Sequence, residues 1–346
     1  MGHQVSVFSE DSKDPAAQVL SHWSKGSLSD SNSLIRFAET VDHLTFESEF
    51  APVEALLEME KLHPQKIFPC PSLMKRIQSK WTQKELLTEF QIPTSPYCKV
   101  NSVETLRYAW KDLDGPFVLK VNFGGYDGYG IHFVEKLKNL QPLEERMKLK
   151  PQDWLAEKHI SFKRELASIL IRSSNSDCIS LPLVETFQTH GKCDWVRGPV
   201  QHKAWPSLEK KLKQMMKKLD YVGALAVEMF DTGSALLINE LAPRVHNSGH
   251  YSQNALSESQ FSLHIRAGLG EKIQAPQLLS PQFVMANLIG QSTEAIQVPQ
   301  ELSGSLHLYG KLENRPGRKM GHVNYLGPKG PALLQKALKE RKRFQL

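Results

Sequence analysis

Nowhere in its 346 residues does the chain carry an apolar run approaching the roughly 18 that a membrane-spanning helix needs, and its N-terminus lacks the apolar core of a secretory signal. The sequence therefore predicts a cytoplasmic protein with no membrane partner. Cysteine is scarce: Cys70, Cys98, Cys178 and Cys193 show no C-x-x-C spacing. That argues against a disulfide framework and a structural zinc, and fits a reducing compartment. The Walker pattern G-x-x-x-x-G-K-[ST] is also missing, which disfavours a P-loop protein. Nor does an aromatic-plus-basic recognition motif accompany the net charge of +6. Much of the basic excess lies in 209–218 (EKKLKQMMKK) and 336–343 (KALKERKR), runs that read as solvated helix faces. No nucleic-acid partner is expected; a basic pocket for phosphorylated small molecules explains the same charge.

What is present is ordinary in bulk, with 40% hydrophobic and 23% charged residues. The length predicts two or three lobes. QVSVFSED (4–11) reads as a strand, DPAAQV (14–19) as a short helix and VDHLTFESE (41–49) as the next strand. A helical stretch over 73–90 ends at the prolines of IPTSPY (92–97). Strands at 117–122, 131–136, 154–160, 165–173, 177–187, 222–230 and 234–240 then predict an antiparallel, β-rich middle lobe with a helix at 207–219. Helical periodicity returns at 256–269, followed by a small all-β tail and a terminal amphipathic helix.

Chemistry concentrates in three places. FGGYDGYG (123–130) has four glycines in eight positions between two strands, a density that lets backbone N–H groups approach an anion, with Lys120 just upstream. A plain flexible hairpin is the alternative. Glu228 and Glu240 end the apolar runs YVGALAVE and ALLINE on what should be neighbouring strands. Two inward carboxylates side by side repel, and a magnesium ion shared with nucleotide phosphates relieves that. The loop that follows Asn239 and Glu240 holds Arg244, His246, Asn247 and His250. A histidine metal pair is conceivable, but Pro243 and Gly249 spoil the helix it would need. An arginine aimed at a developing oxyanion, flanked by histidine and asparagine donors, is the more natural reading. In the tail, Lys311, Arg315, Arg318, Lys319 and His322 suggest a second anion site or a basic surface turn.

GGYDGYG, ALAVEMF, INELAPRVHNSGHYS, SQFSLHIRAGLG, MANLIG and LHLYGK with RPGRKMGHVN occur in this order. Together they resemble the N5-carboxyaminoimidazole ribonucleotide synthetase family of ATP-grasp enzymes, from about residue 4 to 326. The resemblance implies an α/β and α+β chain. A Rossmann-like pre-ATP-grasp domain (1–78) would be followed by an ATP-grasp domain (79–275) and a small C-terminal β domain with a terminal helix (276–346). It implies ATP-dependent carboxylation of 5-aminoimidazole ribonucleotide by bicarbonate, through carboxyphosphate, with Mg2+ or Mn2+ as metal and a homodimer as assembly. Carried over by position, Lys80, Lys120, Gly124, Gly125, Tyr126, Asp127, Gly128, Gly130, Glu157, Ile160, Glu165 and Asn239 would hold the nucleotide. Glu228 and Glu240 would hold the metal. Tyr126, Arg244, Lys311, Arg318 and Lys319 would meet the ribonucleotide or carboxyphosphate, and Arg244, His246 and Asn247 would carry the chemistry.

The chain departs from the family pattern in several places. The family opens with a strand and a G-G-G-Q-L-G-type turn, whereas this chain starts at what corresponds to the second strand. Either the true start lies upstream of Met1, the favoured expectation, or the N-terminal sheet lacks an element and the substrate floor is incomplete. Tyr129 replaces a basic residue of the glycine loop, Phe50 an asparagine, Gln188 a frequent histidine, and Lys80 an arginine that other ATP-grasp enzymes also exchange for lysine. Two other readings stay open. One is an ATP-grasp ligase joining a carboxylate to a different amine; the other is a weakly catalytic nucleotide-binding protein with a regulatory role.

Overall fold

A computed structural model describes residues 2–49, 51–124, 130–149, 152–175 and 178–346. Strands β1 (Ser6–Ser9) and β2 (His22–Lys25) pair in parallel, with Ser6 opposite His22. Helices Ser31–Glu39, Val53–Leu62 and Pro71–Gln78 complete this part around Leu34, Leu56, Met59 and Met74. The first of these helices is capped by the Asp30 carboxylate, which accepts from the amides of Asn32 and Ser33. Sequence alternation predicted a strand over 41–49, but the chain makes only one parallel bridge there, Leu44 to Ile67. Beyond Leu44, residues Thr45 to Glu49 leave the sheet to line a cleft. The strand that does pair with β1, HWSK, is four residues long with one partly buried side chain, so it offers no alternation to read.

A four-stranded antiparallel sheet follows. It consists of β3 (Tyr97–Val100), β4 (Phe117–Val121), β5 (Ile131–Val134) and β6 (Trp154–Lys158), in the order β3-β6-β4-β5. Phe117, Leu119, Trp154 and Ala156 turn one way into a core with the helices Val103–Asp112 and Leu140–Leu149. The alternate positions Val118, Lys120 and Glu157 line the cleft, as the period of two requires.

The third sheet has nine strands: β7 (Arg164–Arg172), β8 (Ile179–Ser180), β9 (Val184–Thr189), β10 (Lys192–Gly198), β11 (Gly223–Asp231), β12 (Leu236–Ala242), β13 (Gln282–Ile289), β14 (Ser305–Leu308) and β15 (Lys319–Gly327). Their order is β12-β11-β7-β9-β10-β13-β15-β14, with β8 on β7. Leu225, Val227 and Met229 pack on one face with the helices Lys80–Glu89 and Trp205–Lys218. Ala224 and Ala226 pack on the other with Tyr251, Leu263 and Ala267. The tail has its own core of Val284, Leu288, Val323 and Tyr325 beneath the helix Ala332–Arg341. Its strands nevertheless continue the large sheet, because β13 pairs with β10 from Phe283–Gly198 to Ala286–Trp195.

The helical stretch predicted over 73–90 is two helices that meet at Ser79. Ser79 Oγ accepts from the amide of Thr82 and donates to Asn122 Oδ1, just past β4. Gln83, on the second helix, donates to Leu241 O and accepts from Leu241 N. Lys80 is thereby fixed between the end of β4 and the end of β12, where the two sheets face each other.

Candidate active site

The cleft starts from a defect in a ladder. Along β11 and β12, Glu228 stands directly opposite Glu240, but the next pair is Met229 with Ile238. Asn239 is therefore the extra residue of a β-bulge, and both Asn239 and Glu240 reach the cleft rather than alternating away from it. Burial raises the Glu228 carboxyl to a pKa of about 7, helped by Glu240 and Glu165. Like charges held this close call for a cation. Among the described residues, no three His, Cys, Asp or Glu side chains are arranged around one point. A magnesium ion on Glu228 and Glu240 would therefore take its other ligands from phosphate oxygens and water, its usual habit.

On one side of this pair stand three lysines. Lys80 Nζ lies 3.2 Å from Glu240 Oε1. Lys120 Nζ lies 2.9 Å from Glu157 Oε1 and 3.0 Å from Asn239 Oδ1. Lys84 Nζ lies 2.8 Å from Glu157 Oε2. Burial opposes charge on Glu157, yet Lys120 and Lys84 hold its carboxyl well below the ordinary range. The Glu157 side chain, expected at the adenine, is thus turned inward between two ammonium groups. Ile160, Phe162 and Phe230 line the same end of the cleft, with the two phenylalanine rings stacked at 4.6 Å. Gly130, at φ +74, closes the loop onto β4; a Cβ there would lie 2.6 Å from Val121 Cγ2. Gly125, Tyr126, Asp127, Gly128 and Tyr129, like Phe50, lie outside the described residues.

On the other side is the loop after β12. Arg244 Nη2 donates to Glu49 Oε1 at 2.7 Å, joining the N-terminal part to the large sheet. His246 Nδ1 lies 2.9 Å from Ser248 Oγ and 3.3 Å from the Ser248 amide nitrogen, and its Nε2 lies 3.6 Å from Glu228 Oε1. Burial, then the charges of Arg244 and Lys319, keep this ring neutral. His250 Nδ1 bonds to Gln260 Nε2 at 2.8 Å, so the imidazole considered as a second metal ligand is held by the protein. Asn247 lines the cavity and is also tied to the protein. Its amide exchanges two hydrogen bonds with Asn287, at 3.0 and 2.7 Å, and locks the loop to β13.

From the tail, Lys311 and Lys319 line the cleft. Lys311 Nζ donates to Lys319 O at 2.8 Å and sits 5.5 Å from the Tyr309 ring centroid. Arg318 is not brought to the cleft; its guanidinium donates to Glu313 O. The whole cavity measures about 1530 Å³, more than the roughly 300–1,000 Å³ typical of a single small-molecule site.

Comparison with known proteins agrees with this layout. The ribonucleotide synthetase preATP-grasp domain family matches residues 1–78, the ATP-grasp domain 85–261, and the phosphoribosylaminoimidazole carboxylase C-terminal domain 284–336. The N5-carboxyaminoimidazole ribonucleotide synthase of Synechococcus elongatus is 32% identical over 336 residues, covering 93% of this chain and 83% of the relative. The chain belongs to the N5-carboxyaminoimidazole ribonucleotide synthase family. Solved structures of this family superpose closely. That of the Staphylococcus aureus synthetase, complexed with ADP, gives a TM-score of 0.90 at 27% identity, covering 99% of this chain and 91% of that one. That of the Aspergillus clavatus synthase, with ADP and 5-aminoimidazole ribonucleotide, gives 0.85 at 28% identity, covering 99% and 93%.

For this member of the synthase family, the structure gathers Lys80, Lys120, Gly130, Glu157, Ile160, Glu165, Glu228, Asn239, Glu240, Arg244, His246, Asn247, Lys311 and Lys319 around one cavity. Gly124, at φ +73, and Arg318 stand apart from its wall. Sequence reasoning missed Lys84 as a site residue. The signal was available: Lys80 and Lys84 are four apart on one helix, a repulsive arrangement unless carboxylates face both.

Glu165 gives a test of the cleft's electrostatics. Burial raises its carboxyl to about 7, against the pull of Lys120. A folded-state pKa above the unfolded value of 4.5 means the stabilisation is present below pH 4.5 and lost as pH rises through 7. Glu165→Gln should therefore melt a few degrees above the parent at pH 8, with the gap narrowing toward pH 5. Equal melting shifts at both pH values would refute burial as the cause.

Proposed function

We propose that the protein carboxylates 5-aminoimidazole ribonucleotide at its exocyclic amine, using bicarbonate and ATP and releasing ADP and phosphate. The observation that carries this reading is the Glu228–Glu240 pair, with lysines on one side and Arg244 and His246 on the other, in one cavity large enough for two ligands. It agrees with the family and with a relative that binds both ADP and the ribonucleotide.

Lys80 and Lys120 would neutralise the ATP phosphates, while Ile160, Phe162 and Phe230 cover the base. A magnesium ion on Glu228 and Glu240 would draw charge from the transferring phosphoryl group. Bicarbonate oxygen attacks the γ-phosphorus and the bond to the β-phosphate oxygen breaks, giving carboxyphosphate and ADP. The bond between carbon and the phosphate oxygen in carboxyphosphate then breaks to give carbon dioxide and phosphate, the amine nitrogen bonds to the carbon, and its proton passes to the departing phosphate. Arg244 and His246 Nε2 would donate to the carboxylate oxygens of both species. The neutral state of His246 suits this, because it donates without adding charge next to Glu228. Phosphoryl transfer asks little covalent help of the protein, so positioning and charge neutralisation supply most of the effect. Closure of the cleft over its substrates would keep water from carboxyphosphate. Cytoplasmic location and a homodimer complete the reading.

The test is ADP release by the purified protein. It should require bicarbonate and the ribonucleotide together. ADP release indifferent to the ribonucleotide would leave an ATP-grasp ligase with another acceptor.

A further inference from the structure

Lys84 stands behind the cleft wall, with only 2% of its side chain exposed. Its ammonium is surrounded by Glu157 Oε2 at 2.8 Å, Thr94 Oγ1 at 2.6 Å, Ser95 Oγ at 3.1 Å and Asn239 O at 3.5 Å. It does not line the cavity, so it touches no ligand there. A buried ammonium is costly unless it is paired, and the pairing here is unusual because Glu157 is shared. Glu157 offers one oxygen to Lys84 and the other to Lys120, and Ser95 donates to it as well. The nearby carboxylate Glu240 is engaged by a different lysine, Lys80.

Charge counting then assigns Lys84 a purpose. Glu157 alone with Lys120 would be a neutral pair, and a phosphate arriving at Lys120 would meet no net charge. With Lys84 behind it, the triad Lys84–Glu157–Lys120 carries one net positive charge, which Lys120 presents to the cleft. We propose that Lys84 is a positioning and charge-supplying residue that acts through Glu157. It neutralises that carboxylate from behind, so that Lys120 can be held in place by Glu157 without losing its attraction for a phosphate. The inference rests on the reading of Lys120 as a ligand of the nucleotide phosphates.

The test is equilibrium binding of ADP and of adenosine, which has no phosphate. Lys84→Met should weaken ADP about tenfold or more while leaving adenosine nearly unchanged. Adding Glu157→Gln to Lys84→Met returns the site to a single positive charge on Lys120, and ADP affinity should recover to within a few-fold of the parent. A purely structural lysine predicts the opposite pattern: both ligands weaken together, and the second substitution worsens matters. Should Lys84→Met fail to fold, Lys84→Gln removes the charge while keeping a partner for Thr94 and Ser95, and carries the same expectation. Equal ADP affinity in the parent and either folded single variant overturns the proposal. Failure of the parent to bind ADP at all overturns instead the nucleotide reading on which it rests.

Discussion

Glu240→Gln should abolish turnover, lowering kcat on the order of 10³-fold or more, because metal polarisation of a transferring phosphoryl group is worth several kcal/mol. The substitution keeps the shape of the side chain and removes one charge. Glu240 faces Glu228 across the bulge and lies 3.2 Å from Lys80. Gln can still accept from Lys80, and the repulsion with Glu228 disappears, so the melting temperature should hold or rise. Mn2+ titration by electron paramagnetic resonance in the presence of ADP supplies a readout apart from activity: binding should weaken at least tenfold, in line with the loss of one of two carboxylates. Unchanged turnover with unchanged Mn2+ affinity would sink the metal assignment.

Arg244→Met should lower kcat/KM for the ribonucleotide by about 10²–10³, the range seen when one donor to a developing oxyanion is removed. ADP affinity should stay within a few-fold, because Arg244 lies across the acidic pair from Lys120. There is a structural side effect to separate. Burial already raises the Glu49 carboxyl, against the opposing pull of Arg244. Without the guanidinium, Glu49 would become a buried acid with its main cation gone. Arg244→Met with Glu49→Gln should therefore recover stability but not activity. Recovery of activity in that double variant would reassign Arg244 to a merely structural ion pair.

Much of the site was legible because its residues sit at the ends of strongly patterned strands. Glu228 and Glu240 follow apolar runs whose antiparallel pairing could be inferred, and the ladder places them opposite each other. The bulge at Asn239 left a trace as well, in two adjacent polar residues where strict alternation allows one toward the cleft. Other features had no local signature. The inward turn of Glu157 depends on Lys84, more than 70 positions earlier and on another element. The anchoring of Asn247 depends on Asn287, a polar residue inside an apolar strand. The stretch 41–49 misled because its alternation runs on past Leu44 into a segment that lies along the cleft without a strand partner. Arg318, carried over from the family, shares the basic loop of Lys311 and Lys319, but its side chain turns back to the carbonyl of Glu313.

The junction of β10 with β13 bears on how separable the C-terminal segment is. The family resemblance puts a domain boundary at 276, and a cut there looks natural from the sequence. In hydrogen bonding it would run through the middle of a ladder. Removing 276–346 would strip β10 of its neighbour from Trp195 to Gly198 and expose an edge beside the apolar side chains of the large sheet's core. An unprotected edge of that kind invites pairing with other chains, so the shortened protein would aggregate rather than persist as a nucleotide-binding fragment. The third segment is thus both a wall of the substrate cleft and the edge guard of the fold, and any attempt to transplant the nucleotide-binding half must bring the tail along.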